Sequence, residues 1–194
     1  MMLKEKLLKS IAQSHEMDEE EFEVLAYGME ILLQKIFFFI GAIIISVIMG
    51  ALVEGIVFML LFAILRQNAG GIHMKSKIAC AISSAGIFVV ALILINLATR
   101  YAVVYNVLLC LSGVGIIILL ALAPVDTPNK RMMEEQKKKN SLKVKFILLG
   151  LYLFLFAFTF LGLKQICSVI VVIVVVEAIL VAVGKILLNS SSIW

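Results

Sequence analysis

Charged side chains are scarce in this sequence of 194 residues. Only 15% of the residues are Asp, Glu, Lys or Arg, whereas 63% are hydrophobic. Soluble domains carry about a quarter charged residues and roughly half apolar ones. So little polar surface cannot cover a globule in water, which excludes a single soluble domain and a disordered chain. The composition predicts an integral membrane protein.

Cysteine and histidine are rare as well. The three cysteines, Cys80, Cys110 and Cys167, are odd in number and widely spaced, which argues against a disulfide framework. HExxH and clusters of His with Asp are absent, and so is a phosphate-binding loop, so we expect no metal and no cofactor. The net charge of +4 does not indicate a nucleic-acid partner.

Long apolar runs dominate the rest of the sequence. They predict an all-α, polytopic membrane protein with six spans in a single domain, residues 1–194. The predicted spans run from about Met29 to Gly50 and from Leu52 to Leu65, and then cover Ile78–Leu97, Tyr101–Ala123, Val144–Leu163 and Ile166–Leu188. A crossing needs roughly twenty residues, so the sequence leaves open whether the short second span crosses fully.

Three polar segments flank these spans: residues 1–28, 66–77 and 124–143. Residues 1–28 predict amphipathic and acidic N-terminal helices, with Asp18 and Glu21 in a capping-box spacing. With the N-terminus placed in the cytoplasm, Arg100 and Lys164 are the basic residues that fall outside, and Lys35 lies within the first span. The positive-inside rule therefore predicts that both termini and both polar loops are cytoplasmic.

The loop 66–77 holds the candidate chemistry. Residues 66–73 read Arg-Gln-Asn-Ala-Gly-Gly-Ile-His, and Cys80 follows His73 by seven residues. A histidine near a cysteine is the minimum for an activated thiolate, and a helix N-terminus with nearby cations favours that thiolate. On one continuous helix the two side chains would lie about 10.5 Å apart along the axis. We therefore expect a bend around residues 74–77, with Cys80 in the first turn of the next helix.

Spacing alone leaves other interpretations open. Cysteine often packs as a small hydrophobe in membrane helices, and His73 would then be an ordinary loop residue. A Ser–Lys mechanism using Ser76 with a neighbouring lysine is also compatible with the loop.

The run from Arg66 to Cys80 resembles the signature of the AgrB family, the membrane proteases of accessory gene regulator quorum sensing. The later stretch Ala-Pro-Val-Asp-Thr-Pro-Asn-Lys, ending at Lys130, is similar to the family too. The resemblance implies a cysteine endopeptidase that cuts a small AgrD-like precursor near its C-terminus. It implies that Cys80 is the nucleophile and His73 the base. An acyl-enzyme thioester would then be closed into a thiolactone or lactone by an internal cysteine or serine of the peptide.

Several residues are candidates for supporting roles, each with a simpler alternative. Arg66 would pair with an acidic substrate group or anchor the second span at the interface. Backbone N–H groups of Gly70 and Gly71 would face the oxyanion, unless the pair is a plain turn. Gln67 and Ser84 would orient His73, although Ser84 also suits helix packing. Lys130 would lie at the rim of the site.

Partners follow from charge and from the resemblance. The basic stretch Lys130–Lys145 is predicted to touch anionic lipid and to dock the acidic C-terminal tail of the precursor. The resemblance also allows a homodimer, which the sequence itself does not show. The alternative function is a non-enzymatic peptide transporter or export scaffold, in which Glu177, Lys35 and Arg66 would line a path. Glu177 lies within the last span and requires a partner, for which Lys35 or a proton are the candidates.

Overall fold

The structure is a computed structural model that describes residues 18–71, 77–125 and 133–189. These residues form six α-helices, each long and apolar enough to cross a membrane. They are α1 (Glu19–Ile48), α2 (Leu52–Ala69), α3 (Lys77–Arg100), α4 (Ala102–Leu122), α5 (Glu134–Phe160) and α6 (Lys164–Asn189). The prediction of an all-α membrane protein with six spans is confirmed.

The second span is longer than the sequence predicts. α2 continues past Leu65 to Ala69, so Arg66 lies in its last turn rather than in a loop. Its 18 residues give about 27 Å of helix, close to the roughly 30 Å of a bilayer core. The apolar run that defines the predicted span ends before the first charged residue, Arg66. The helix itself ends only at Gly70, where φ is +75°.

The segment 124–143 is only partly a loop. α5 begins at Glu134, well before Val144, so its first turns contain the lysines of the basic segment. Two glutamates in the first turn suit the positive end of the helix dipole. Hydropathy does not detect this start, because a helix can extend beyond the apolar core of the membrane.

α1 runs without a break from Glu19 to Ile48. Asp18 caps α1 by accepting a hydrogen bond from the Glu21 backbone N–H at 2.8 Å, as the spacing predicts. The chain divides into two compact units at Ala42 and Ile43. Residues 1–17 lie outside the described part, so the amphipathic N-terminal helix stays a prediction.

α6 is the central helix of the second unit. It packs against α2, α3, α4 and α5, and 67% of its most apolar window is buried, against 28% or less in any other span. Its sequence explains this position, because an unbroken Val and Ile stretch from Val169 to Val176 is apolar on every side. The side chain of Glu177 follows directly and is fully buried.

α4 approaches α6 closely at a glycine. A Cβ on Gly115 would lie 3.2 Å from the Ala178 Cβ and 3.3 Å from the Val174 carbonyl oxygen. Small residues allow membrane helices to pack in this way. A Tyr152 hydroxyl on α5 also donates to Ser112 on α4 at 2.7 Å, which joins a third helix to the pair.

We expect Gly115→Leu to destabilise the bundle by about 1–3 kcal/mol, because the added side chain meets the backbone of α6. The matched control is Gly113→Leu, since a Cβ there meets nothing within 4 Å. Both changes gain the same helix propensity, so it cancels in the comparison. The measurement is the thermal unfolding midpoint in detergent; equal midpoints for the two variants would contradict the packing described here.

Candidate active site

Two chain segments meet where α2 ends. After Ala69 the chain turns at Gly70 and Gly71, and residues 123–125 that follow α4 lie beside this turn. The Val125 N–H donates to the Ala69 carbonyl at 2.9 Å, and Gly70 and Val125 form an isolated parallel bridge. Val125 is almost fully buried. The turn that leads toward His73 is therefore fastened to the end of α4.

The turn requires both glycines. Their φ angles are +75° at Gly70 and +122° at Gly71, where residues with side chains are strained. A Cβ on Gly70 would collide with the Val125 carbonyl, and one on Gly71 with the Arg66 guanidinium. The Gly70 N–H donates to the Arg66 carbonyl at 3.1 Å and so caps α2. Of the two predicted oxyanion donors, Gly70 is thus already engaged within the helix end.

Arg66 lies across this turn and reaches into the bundle core. Its Nη1 donates to the Gly70 carbonyl at 2.6 Å and lies 3.4 Å from Oε1 of Glu177. The Glu177 side chain is 0% exposed and that of Arg66 is 21% exposed. The other oxygen of Glu177, Oε2, is buried without a hydrogen-bond partner among the residues that the structure describes.

The structure gives Glu177 a partner that the sequence analysis did not name. The sequence offers Lys35 or a proton as the partner, and the structure places Arg66 beside the carboxylate. Lys35 has an exposed side chain on α1. Sequence distance hid the contact, since the two partners are 111 positions apart. The available signals were a carboxylate within an apolar span and an arginine at the end of another.

Cys80 occupies the first turn of α3, where the sequence predicts it. The residue is half-buried, and the Ser83 hydroxyl donates to its backbone carbonyl at 3.0 Å. The other cysteines differ: Cys110 is exposed on α4, and Cys167 is buried on α6 with its sulfur 3.6 Å from the Thr159 hydroxyl. Cys80 is therefore the half-buried one of the three cysteines, and it follows the Gly70–Gly71 turn by nine residues in sequence.

Some predicted site residues lie outside the part of the chain that the structure describes. They are His73 and Ser76, within residues 72–76, and Lys130, within residues 126–132. The pairing of His73 with Cys80 and the rim position of Lys130 stay predictions. Gln67 is exposed on α2 and Ser84 is half-buried on α3; their predicted roles depend on His73 and likewise stay predictions.

A basic surface covers the first turns of α5. Lys138, Lys139, Lys143 and Lys145 all have exposed side chains. Lys137 instead lies 3.2 Å from Glu134, one helical turn earlier. Since α5 follows the segment that packs on the α2 end, this surface lies at the same end of the bundle as Cys80.

The chain is similar in sequence to several known proteins. A family model described as Accessory gene regulator B matches residues 4–181. An AgrB-like protein of Clostridium perfringens (strain 13 / Type A) is 30% identical over 131 residues, which are 65% of this chain and 61% of that protein. Accessory gene regulator protein B of Staphylococcus aureus (strain N315) is 30% identical over 118 residues, or 60% of this chain and 61% of the relative. The chain thus spans less than two thirds of the length of these relatives, and no solved structure matches it.

We expect Gly71→Ala to destabilise the bundle, because the methyl group displaces the Arg66 guanidinium from its position over the turn. Gly162→Ala is the matched control: its φ is +70°, and a Cβ there meets nothing within 4 Å. Both variants incur backbone strain of about 1–3 kcal/mol, and only the first moves Arg66. The thermal unfolding midpoint of the purified variants in detergent measures the difference; equal midpoints would contradict the placement of Arg66 against Gly71.

Proposed function

The chain belongs to the accessory gene regulator B family, and on that premise we propose that this multi-pass membrane protein is a cysteine endopeptidase of quorum-sensing peptide processing. It cuts a small AgrD-like precursor and promotes closure of the released part into a ring. The observation that carries the proposal is the position of Cys80, half-buried in the first turn of α3, just after the turn that Arg66 and Val125 hold.

The location suits a nucleophilic thiol. The first turn of a helix places a side chain near backbone N–H groups, whose partial positive charge attracts negative charge. Cys80 is partly exposed and so accessible to a substrate, whereas Cys167 is buried. Arg66 and Lys77 add positive charge on either side of the turn in sequence.

Two acyl transfers make up the reaction. His73 takes the thiol proton of Cys80, and the thiolate adds to the scissile carbonyl of the precursor. The tetrahedral intermediate collapses as the C–N bond breaks, and the imidazolium gives its proton to the leaving amine. The N-terminal part of the precursor then remains on Cys80 as a thioester.

Ring closure is the second transfer. A cysteine thiol or serine hydroxyl within the bound peptide loses its proton to His73 and attacks the thioester carbonyl. The C–S bond to Cys80 breaks, the Cys80 sulfur takes the proton back, and a thiolactone or lactone is released. Tethering gives the internal nucleophile a high effective concentration, and a site at the membrane surface disfavours competing water.

The distribution of basic residues supports a cytoplasmic site. Lysines are frequent in the chain segments between α2 and α3, between α4 and α5, and in the first turns of α5, whereas Arg100 ends α3 and Lys164 begins α6. Under the positive-inside rule these segments face the cytoplasm, where thiols stay reduced.

No observation favours the transporter alternative. In a transport path, Glu177 and Arg66 would line an accessible channel, yet Glu177 is fully buried and lies within an ion pair. An intramembrane carboxylate of this kind matches a structural or positioning role better than a transport site.

Cys80→Ala is expected to bind the precursor normally and to leave it uncut, because no other described cysteine adjoins the turn. Cys110→Ala serves as the matched control and should process at the wild-type rate. Mass spectrometry of the products after incubation with the precursor measures cleavage, and added hydroxylamine traps the thioester as a hydroxamate. Wild-type processing by Cys80→Ala would end the assignment of the nucleophile.

The double variant Lys138→Gln/Lys139→Gln is expected to raise KM several-fold with little change in kcat, because these exposed lysines attract the acidic tail of the precursor. The difference from wild type should shrink at high salt, which screens such charges. Lys35→Gln/Lys164→Gln loses the same charge from exposed positions elsewhere on the chain and is the control. Reconstituted protein of checked orientation is required, since lysines also set topology; an unchanged KM at low salt would discard the docking surface.

A further inference from the structure

We propose that Glu177 is a positioning residue for the peptidase site: from the central helix it holds the Arg66 guanidinium over the Gly70–Gly71 turn and so fixes how the chain leaves α2 toward Cys80. The inference rests on the proposed function and deepens it, since the motif from Arg66 to Cys80 does not include Glu177.

The geometry links three elements through one nitrogen. Nη1 of Arg66 is 2.6 Å from the Gly70 carbonyl and 3.4 Å from Oε1 of Glu177. The guanidinium also occupies the space that a Cβ of Gly71 would need. A shift of the guanidinium therefore moves the carbonyl it binds and the glycine it lies against. The position of Glu177 on α6 is transmitted to the start of the catalytic loop.

Burial shows that stability alone does not explain Glu177. It is the only charged residue among the buried side chains of the described residues, and the other buried polar residues there are Ser46, Ser112 and Ser168. Its Oε2 lacks a partner in the described part of the chain, and a half-satisfied carboxylate costs free energy. Replacing a buried ion pair by apolar residues is often neutral or stabilising. A site that tolerates this cost within an apolar helix indicates a functional use.

α6 is suited to be the reference for this positioning. It contacts α2, α3, α4 and α5, so its position is set by the whole core rather than by one neighbour. Cys80 sits on α3 and the turn on α2, and both helices pack on α6. An arm from α6 to the turn therefore fixes the turn relative to the helix that carries the nucleophile.

The test is Glu177→Gln, which keeps the size of the side chain and removes its charge. We expect kcat for precursor cleavage to fall by roughly 10- to 100-fold, because small misplacements of reacting groups reduce rates by such factors. Precursor affinity should stay near wild type. Ser168→Ala on the same helix is the control, because Ser168 is buried and its hydroxyl donates to the Lys164 carbonyl of its own helix. A wild-type kcat for Glu177→Gln would overturn the proposal.

A double-mutant cycle separates positioning from folding. If Glu177 acts through Arg66, the variant Arg66→Gln/Glu177→Gln should be no slower than Arg66→Gln alone. Its charges are balanced, so its thermal midpoint should recover from that of Glu177→Gln while kcat stays low. A kcat that recovers with the midpoint, or losses that multiply, would overturn the proposal.

Two further variants keep the outcome unambiguous. If Glu177→Gln does not fold, Glu177→Asp retains the charge and withdraws it from Arg66 by one methylene; a wild-type kcat in that variant contradicts positioning. Cys80→Ala is assayed in parallel. Processing by Cys80→Ala would refute the proposed function, whereas an inactive Cys80→Ala beside a fully active Glu177→Gln would refute only the role of Glu177.

Discussion

A charge inside an apolar helix bundle needs a partner from the protein, because no bulk water reaches it. In this molecule the constraint falls on Glu177, and Arg66 satisfies it from the end of another helix. The contact determines more than the neutrality of the core. Because the same guanidinium nitrogen binds the Gly70 carbonyl, the requirement to pair a buried carboxylate also sets the conformation of the turn ahead of Cys80. The Arg66 side chain thus pairs with the buried carboxylate in the core and holds the turn at the end of α2.

The spacing of Arg66, Gly70 and Gly71 then has a physical explanation. An arginine in the last turn of α2 folds back over the residues that follow, and the space it takes lies where side chains of those residues would be. Glycine is required at Gly71 for the guanidinium and at Gly70 for the Val125 carbonyl, and both positions have positive φ. The motif is a packing unit in its own right, whatever chemistry follows it.

The sequence predicts the helices well and their ends less well. Apolar runs give six spans correctly, since in a membrane such runs must be helical. They miss the last turn of α2 and the first turns of α5. Hydropathy identifies the residues that suit the apolar core of the membrane, whereas the ends of a helix depend on its backbone hydrogen bonds. At the site, local signals suffice for Cys80 in the first turn of α3. They fail for Glu177, whose partner depends on how distant helices pack and is not encoded in any short stretch.

The bundle also contains a neutral contact between helices, and comparison with it indicates why the Arg66–Glu177 pair is charged. Tyr152 and Ser112 join α5 to α4 with one neutral hydrogen bond of 2.7 Å, and neither group must be ionised in the core. A neutral pair of this kind would serve if α6 and α2 had only to be held together. The Arg66 side chain does more, because its planar head carries several donors at fixed angles and reaches both the carboxylate and the turn. A hydroxyl pair would be sufficient to hold α2 against α6. The charged pair of Arg66 and Glu177 also holds the Gly70–Gly71 turn, which accounts for a charge at this place.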